Sequence, residues 1–229
     1  MLRIIAGTIL WTLALSLCSG ASARRCAPRR IMPLGDSITA GGYNEGGQWR
    51  VGGGYRLRLG ARLRKKGAPF VFVGSLEDGP AEMPDRRHEG HSGWRIAELT
   101  TQIDGWLASG RPDLILLMIG TNDLWKEDRL ESAPQRLEAL VDRILAGAPN
   151  ARIFVSTILT SNNEVFNTRA RAYNAAVLRI RRPRVVVVDL GASSGITAAA
   201  SDLGDGVHPT PKGYRKLGDA WYGSIVDSL

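Results

Sequence analysis

The chain has 229 residues, 44% of them hydrophobic, with 30 Lys and Arg against 22 Asp and Glu and a formal net charge of +8. That length and apolar share suit one ordinary domain with its own core, and exclude a small scaffold that depends on disulfide staples. The basic residues cluster at Arg24-Arg25, Arg29-Arg30, Arg62 to Lys66 and Arg179 to Arg184 without interleaved aromatics, so they read as solvated faces and helix ends rather than a nucleic-acid surface; attraction to an acidic polymer such as a cell wall or a substituted plant polysaccharide stays open.

Residues 1 to 23 are set apart from the rest. Arg3 gives a positive start, Ile4 to Leu17 is mostly apolar, and Ala21-Ser22-Ala23 has the A-x-A pattern of a signal-peptidase site. The apolar run is short for a bilayer span, which weighs against an uncleaved anchor. The expectation is a secretory signal cleaved before Arg24, a secreted, extracellular protein, and no membrane attachment after cleavage. Cleavage removes Cys18 and leaves Cys26 as the single cysteine, so no internal disulfide is possible and stability must come from the core.

From Arg24 onward strand-like and helix-like segments alternate. Arg30 to Leu34 reads as a strand running into the turn Gly35-Asp36-Ser37. A glycine-rich loop spans Gly41 to Gly54, and Tyr55 to Lys66 follows as a helix with Tyr55, Leu57, Leu59 and Leu63 on one face, ended by Gly67. Phe70 to Gly74 is a short β-rich run, and Ser75 to Gly93 reads as a long polar loop. Ile96 to Leu107 has helical spacing; Asp113 to Ile119 is a nearly continuous apolar run, as a strand covered on both faces requires. Ser132-Ala133-Pro134 opens a helix closed by Gly147. Arg152 to Ile158 is a strand, Thr168 to Ile180 a helix, Val185 to Leu190 a last strand, Gly191 to Gly206 a loop with at most a helical turn, and Pro211 to Val226 a closing helix. Five strands separated by helices predict an α/β fold with a five-stranded parallel sheet covered on both faces. With no linker or internal repeat in view, residues 24 to 229 form one domain.

Ser37 stands where open α/β sheets place their sites, just past the carboxyl end of a strand. As a nucleophile it needs a base, a group to orient the base, and donors for the oxyanion. His208, in Asp205-Gly206-Val207-His208-Pro209, is the candidate base, and Asp205, three residues earlier, can turn back onto one imidazole nitrogen. Asn122 follows a buried strand directly, and its amide is a candidate oxyanion donor; its other reading is a turn residue. Gly93, before a helix, offers a backbone N–H, and the Ser37 N–H is the third donor. Asp36 reads as structural, because an acid facing the nucleophile would oppose its deprotonation. His88-Glu89-Gly90-His91 is one residue short of His-Glu-x-x-His and holds a glycine where that motif needs a helix; it reads as hydrogen bonding within the loop, with His91 lining the pocket, and not as a metal site. Trp94 either stacks on a sugar ring or anchors the helix after it. Nothing in the glycine-rich loop has the P-loop lysine pattern, so no cofactor is expected.

Taken in order, Gly35-Asp36-Ser37, Gly93, Gly120-Thr121-Asn122-Asp123 and Asp205-x-x-His208 resemble the four blocks of the SGNH (GDSL-type) hydrolases and together span nearly all of the chain after residue 23. The wider wording, Met32 to Thr39, Gly53-Gly54-Tyr55-Arg56 and His88 to Trp94, is similar to carbohydrate esterase family 3, the acetylxylan esterases. The resemblance implies a flavodoxin-like, three-layer α/β/α fold and hydrolysis of O-acetyl esters on a polysaccharide. It also implies Ser37 as nucleophile, His208 as base, Asp205 as its orienter, and Ser37, Gly93 and Asn122 as oxyanion donors. A lipase or phospholipase on the same fold is the nearest alternative, and a non-catalytic carbohydrate-binding protein the more distant one. A monomer is expected.

Overall fold

The computed structural model describes residues 27–229; the expected signal segment, Arg24, Arg25 and Cys26 lie outside the described residues. In chain order the elements are β1 (Arg29–Gly35), α1 (Ser37–Ala40), β2 (Gly42–Glu45), β3 (Gln48–Val51), α2 (Gly54–Lys66), β4 (Phe70–Phe72), β5 (Leu76–Glu77), β6 (Arg87–Gly90), α3 (Ile96–Gly110), β7 (Leu114–Met118), α4 (Thr121–Trp125), α5 (Ala133–Gly147), β8 (Arg152–Ser156), α6 (Glu164–Val177), β9 (Val185–Val188), α7 (Leu190–Ser193) and α8 (Pro211–Ile225).

The five expected strands form one parallel sheet in the order β4, β1, β7, β8, β9. Numbered along the chain this is 2-1-3-4-5, the flavodoxin-like order. Side chains that alternate along each strand explain the layers. Leu114, Leu116 and Met118 of β7 pack with Tyr55, Leu59 and Leu63 of α2 and Leu217, Trp221 and Ile225 of α8. Ile115 and Leu117 face the other way, onto Leu99, Ile103 and Leu107 of α3, Leu137, Val141 and Ile144 of α5 and Phe166, Ala170 and Tyr173 of α6. All of these residues are buried, and burying each Val, Leu, Ile, Phe or Met among them stabilises the fold by about 1.5 to 3 kcal/mol before chain entropy is charged against it.

Four segments depart from expectation. Ser75 to Gly93 holds two short strands: β6 lies parallel to the carboxyl half of β1, and β5 pairs antiparallel with β6, which extends the sheet to seven strands. The buried positions of β6 carry polar residues, so no apolar alternation marks it. His88 and Glu89 are enclosed, with Glu89 accepting from the Ser75 N–H at 2.5 Å and the Ser75 hydroxyl at 2.9 Å. The glycine-rich segment contains an antiparallel hairpin, β2 and β3. Helix α6 begins a turn before Thr168, because Asn163 accepts from the Phe166 N–H at 2.9 Å and caps it. On α2, Leu57 is exposed and Arg56 takes a fully buried position, donating to the carbonyls of Thr39, Ala40, Asp78 and Arg86 at 2.6 to 3.1 Å. Burial lowers its pKa to about 10, so it stays charged at neutral pH and pins the chain just after Ser37.

Candidate active site

Strand register assembles the loops. Gly35 of β1 lies opposite Gly90 of β6 on one side and Met118 of β7 on the other. Because the three strands are parallel, the segments that follow them, with Ser37, Gly93 and Asn122, all emerge at the same end of the sheet. Asp36 caps α1 by accepting from the Ile38 N–H at 2.9 Å, which makes Ser37 the first residue of that helix. The Ser37 N–H therefore has no acceptor within the helix.

Helix α4 holds the other two loops together. Asn122 Nδ2 donates to the Trp94 carbonyl at 3.0 Å, Lys126 Nζ to the Gly93 carbonyl at 2.9 Å, and Asp123 accepts from the Ile96 N–H at 3.1 Å. Asp123 is itself held by Arg136 at 2.8 Å. One hydrogen of the Asn122 amide is committed to Trp94, which fixes the amide plane and leaves the second hydrogen for a ligand. The loop is also anchored to β1, since the His91 N–H donates to the Gly35 carbonyl at 3.0 Å.

His208 and Asp205 arrive from the turn before α8. The Asp205 carboxylate accepts from the N–H groups of Val207 at 3.0 Å and His208 at 2.7 Å through Oδ1, and from the His208 ring nitrogen Nδ1 at 2.8 Å through Oδ2. Gly206 permits this turn: its φ is +84°, and a Cβ there would lie 2.2 Å from the Asn162 side chain. Burial pushes the Asp205 carboxyl upward, but those hydrogen bonds and the imidazole charge together hold it below its ordinary value. An ionised Asp205 can only accept, so Nδ1 carries the proton and Nε2 is free to accept. Nε2 lies 2.9 Å from Ser37 Oγ. The expected serine, histidine and aspartate thus form one continuous hydrogen-bonded line.

Asp36 is enclosed beside this line, and burial raises its pKa to about 6; its Oδ2 has no hydrogen-bond partner among the described residues. His91 sits between two indoles, with ring centroids 4.3 Å from Trp94 and 4.6 Å from Trp106, both stacked, and its Nε2 lies 3.0 Å from Glu89 Oε2. Both faces of its ring are covered, which gives it packing and hydrogen bonding; Trp94 likewise has one face on His91. His88 is fully buried, and burial drives its pKa far below the ordinary value, so it is neutral. Among the described residues no group of three or more His, Cys, Asp or Glu side chains is arranged to hold a metal ion.

One neighbour was missing from the sequence reading. Trp49 of β3 packs against the His208 ring, edge to face, with centroids 4.7 Å apart and planes at 82°. Gly46-Gly47 between two short runs is a hairpin signal that would have put Trp49 on a strand, while its contact with His208 is visible only in the fold. A cavity of about 890 Å³ elsewhere, lined by Arg30, Arg64, Phe70, Asp85 and Arg87 among others, contains neither Ser37 nor His208; chemistry, not cavity size, locates the candidate site.

The chain is 31% identical over 257 residues to a multidomain esterase of Ruminococcus flavefaciens, covering 95% of this chain and 32% of that protein, so it spans about a third of that relative's length. It is similar to the solved structure of a Clostridium thermocellum family 3 carbohydrate esterase, with a TM-score of 0.72 and 32% identity over 87% of this chain and 96% of that one. A family 3 carbohydrate esterase from Talaromyces cellulolyticus shares the fold, with a TM-score of 0.71 and 24% identity over 87% of this chain and 97% of that one. The family described as GDSL-like Lipase/Acylhydrolase matches residues 34–216, from the strand end before Ser37 to beyond His208, and the chain belongs to that family.

Proposed function

We propose that this chain is a serine esterase that removes O-acetyl groups from a polysaccharide, with xylan as the substrate that the wording of Met32 to Thr39 and His88 to Trp94 favours. The observation that carries the reading is the line Ser37 Oγ, His208 Nε2, His208 Nδ1, Asp205 Oδ2, with its two contacts of 2.9 and 2.8 Å. His208 takes the Ser37 proton as Oγ attacks the acetyl carbonyl. Negative charge on the carbonyl oxygen is met by the N–H groups of Ser37 and Gly93 and by the uncommitted hydrogen of the Asn122 amide. His208 then gives its proton to the departing sugar oxygen, leaving an acetyl group on Ser37. Water, activated by the same imidazole, releases acetate and restores the serine. Asp205 fixes the tautomer and stabilises the imidazolium in both halves. No metal or cofactor takes part in this scheme.

Similarity to the Clostridium thermocellum carbohydrate esterase supports a carbohydrate ester as substrate, and the A-x-A segment at Ala21 to Ala23 supports export. The reading is tested against a lipase by acyl length. Nitrophenyl acetate, butyrate and octanoate are compared, and turnover is expected to fall steeply from acetate; an enzyme faster on octanoate would refute the acetyl specificity. Export is tested by sequencing the amino terminus of the protein recovered outside the cell, expected at Arg24.

A further inference from the structure

The catalytic scheme constrains where the alcohol half of the ester must sit. His208 Nε2 gives its proton to the departing oxygen, so that oxygen has to come within hydrogen-bond reach of Nε2. The sugar attached to it must therefore lie against whatever borders the imidazole. Trp49 borders it, with ring centroids 4.7 Å apart.

Trp49 is held in a defined place and yet is not buried. On the hairpin, Trp49 pairs with Asn44 and Gly42 with Val51, which puts Trp49 and Gly42 on the same face as diagonal neighbours. The indole lies directly over Gly42: a Cβ at that position would be 2.1 Å from Trp49 Cζ2. Gly42 below and His208 beside it set the ring's position, while 47% of the residue remains exposed. A two-stranded hairpin whose β3 residues are all exposed does not need a tryptophan for a core. Trp94, the residue that sequence reading offered for sugar stacking, belongs instead to the side where Asn122 and Gly93 are tied together, and one of its faces is spent on His91.

The geometry points to Trp49 as the platform of a leaving-group subsite that takes a pyranose ring of the deacetylated sugar chain. An indole supplies a large, rigid apolar face for the C–H face of a sugar at low entropic cost. Placed there, it holds the sugar oxygen toward His208 Nε2 and selects a ring-bearing alcohol over an open-chain one. This inference rests on the esterase reading above.

The test compares the parent protein with Trp49→Ala and Trp49→Phe on acetylated xylo-oligosaccharide and on ethyl acetate, both followed by pH-stat. The ratio of kcat/KM for the sugar ester to that for ethyl acetate is expected to fall about tenfold in Trp49→Ala, through KM, and to be largely recovered in Trp49→Phe. An equal loss on both esters would make Trp49 a packing partner of His208 and overturn the inference, as would an unchanged ratio. Calorimetric titration of xylohexaose into Ser37→Ala, with and without Trp49→Ala, reads binding without turnover. Affinity about tenfold weaker in the double variant supports the subsite, and equal affinity overturns it. A parent protein that hydrolyses neither ester would sink the esterase reading, and the titration would still decide the role of Trp49.

Discussion

Replacing Asp205 by Asn exchanges one carboxylate oxygen for an amide nitrogen, and the turn dictates which one. Oδ1 accepts two backbone N–H groups, from Val207 at 3.0 Å and His208 at 2.7 Å, so the amide oxygen stays there and the NH2 falls opposite His208 Nδ1, where Oδ2 now sits at 2.8 Å. Two donors then face each other. The ring escapes by moving its proton to Nε2, which presents a donor to Ser37 Oγ in place of the acceptor that nucleophilic attack needs. The fold should notice little, because the backbone contacts survive and the lost one is partly exposed; the stability cost is about 1 kcal/mol. Turnover should fall by about 10³ to 10⁴, or about 4 to 5.5 kcal/mol of barrier, with KM little changed. Steady-state kinetics on nitrophenyl acetate beside a urea unfolding curve separates the two effects. An Asp205→Asn variant that kept more than about a tenth of parental kcat would refute the tautomer argument. Asp205→Ala, which also strips the acceptor from both N–H groups, should lose stability as well as turnover.

Asp36→Asn probes the buried acid beside the nucleophile. The folded-state pKa of Asp36 is raised from 3.8 to about 6, so between those values the folded state keeps a proton that the unfolded chain releases, and stability falls as pH rises through that window. Above it the ionised carboxylate costs about 3 kcal/mol. Asn retains the acceptor for the Ile38 N–H, so the variant should be more stable than the parent at pH 7.5 and lose that margin by pH 4, as read from urea midpoints. An equal margin at both pH values would contradict the burial argument. Asn122→Ala should lower kcat on the order of 100-fold or more, while releasing the Trp94 carbonyl it now holds; full turnover in that variant would remove Asn122 from the oxyanion site.

Where apolar residues recur at a helical or strand period, the sequence was enough: the five parallel strands and the helices over both faces follow from runs such as Leu114 to Met118 and Leu137 to Ile144. The functional segments were legible for a different reason. Neighbouring parallel strands deliver Ser37 and Asn122 to one end, Gly93 was marked by its place before a helix and by the motif it resembles, and an Asp-Gly-x-His turn brings its carboxylate back to its own imidazole. What stayed hidden lies where burial is polar. β6 encloses His88 and Glu89, whose partners sit across chain turns rather than at a fixed spacing, and Arg56 takes a core position on α2 while Leu57 faces out. The His91, Trp94 and Trp106 stack joins residues from a loop and a helix that no periodicity relates. Trp49 was missed because the glycines around it read as a loop.

The central claim is that Ser37, driven by His208, removes acetyl groups from a sugar chain. Its most direct test is the acetate released from acetylated xylan by residues 24 to 229 and by the same chain carrying Ser37→Ala. The account predicts rapid release by the former and none above background by the latter, with unchanged unfolding curves. Equal release by both, or no release by the unaltered chain, would contradict it.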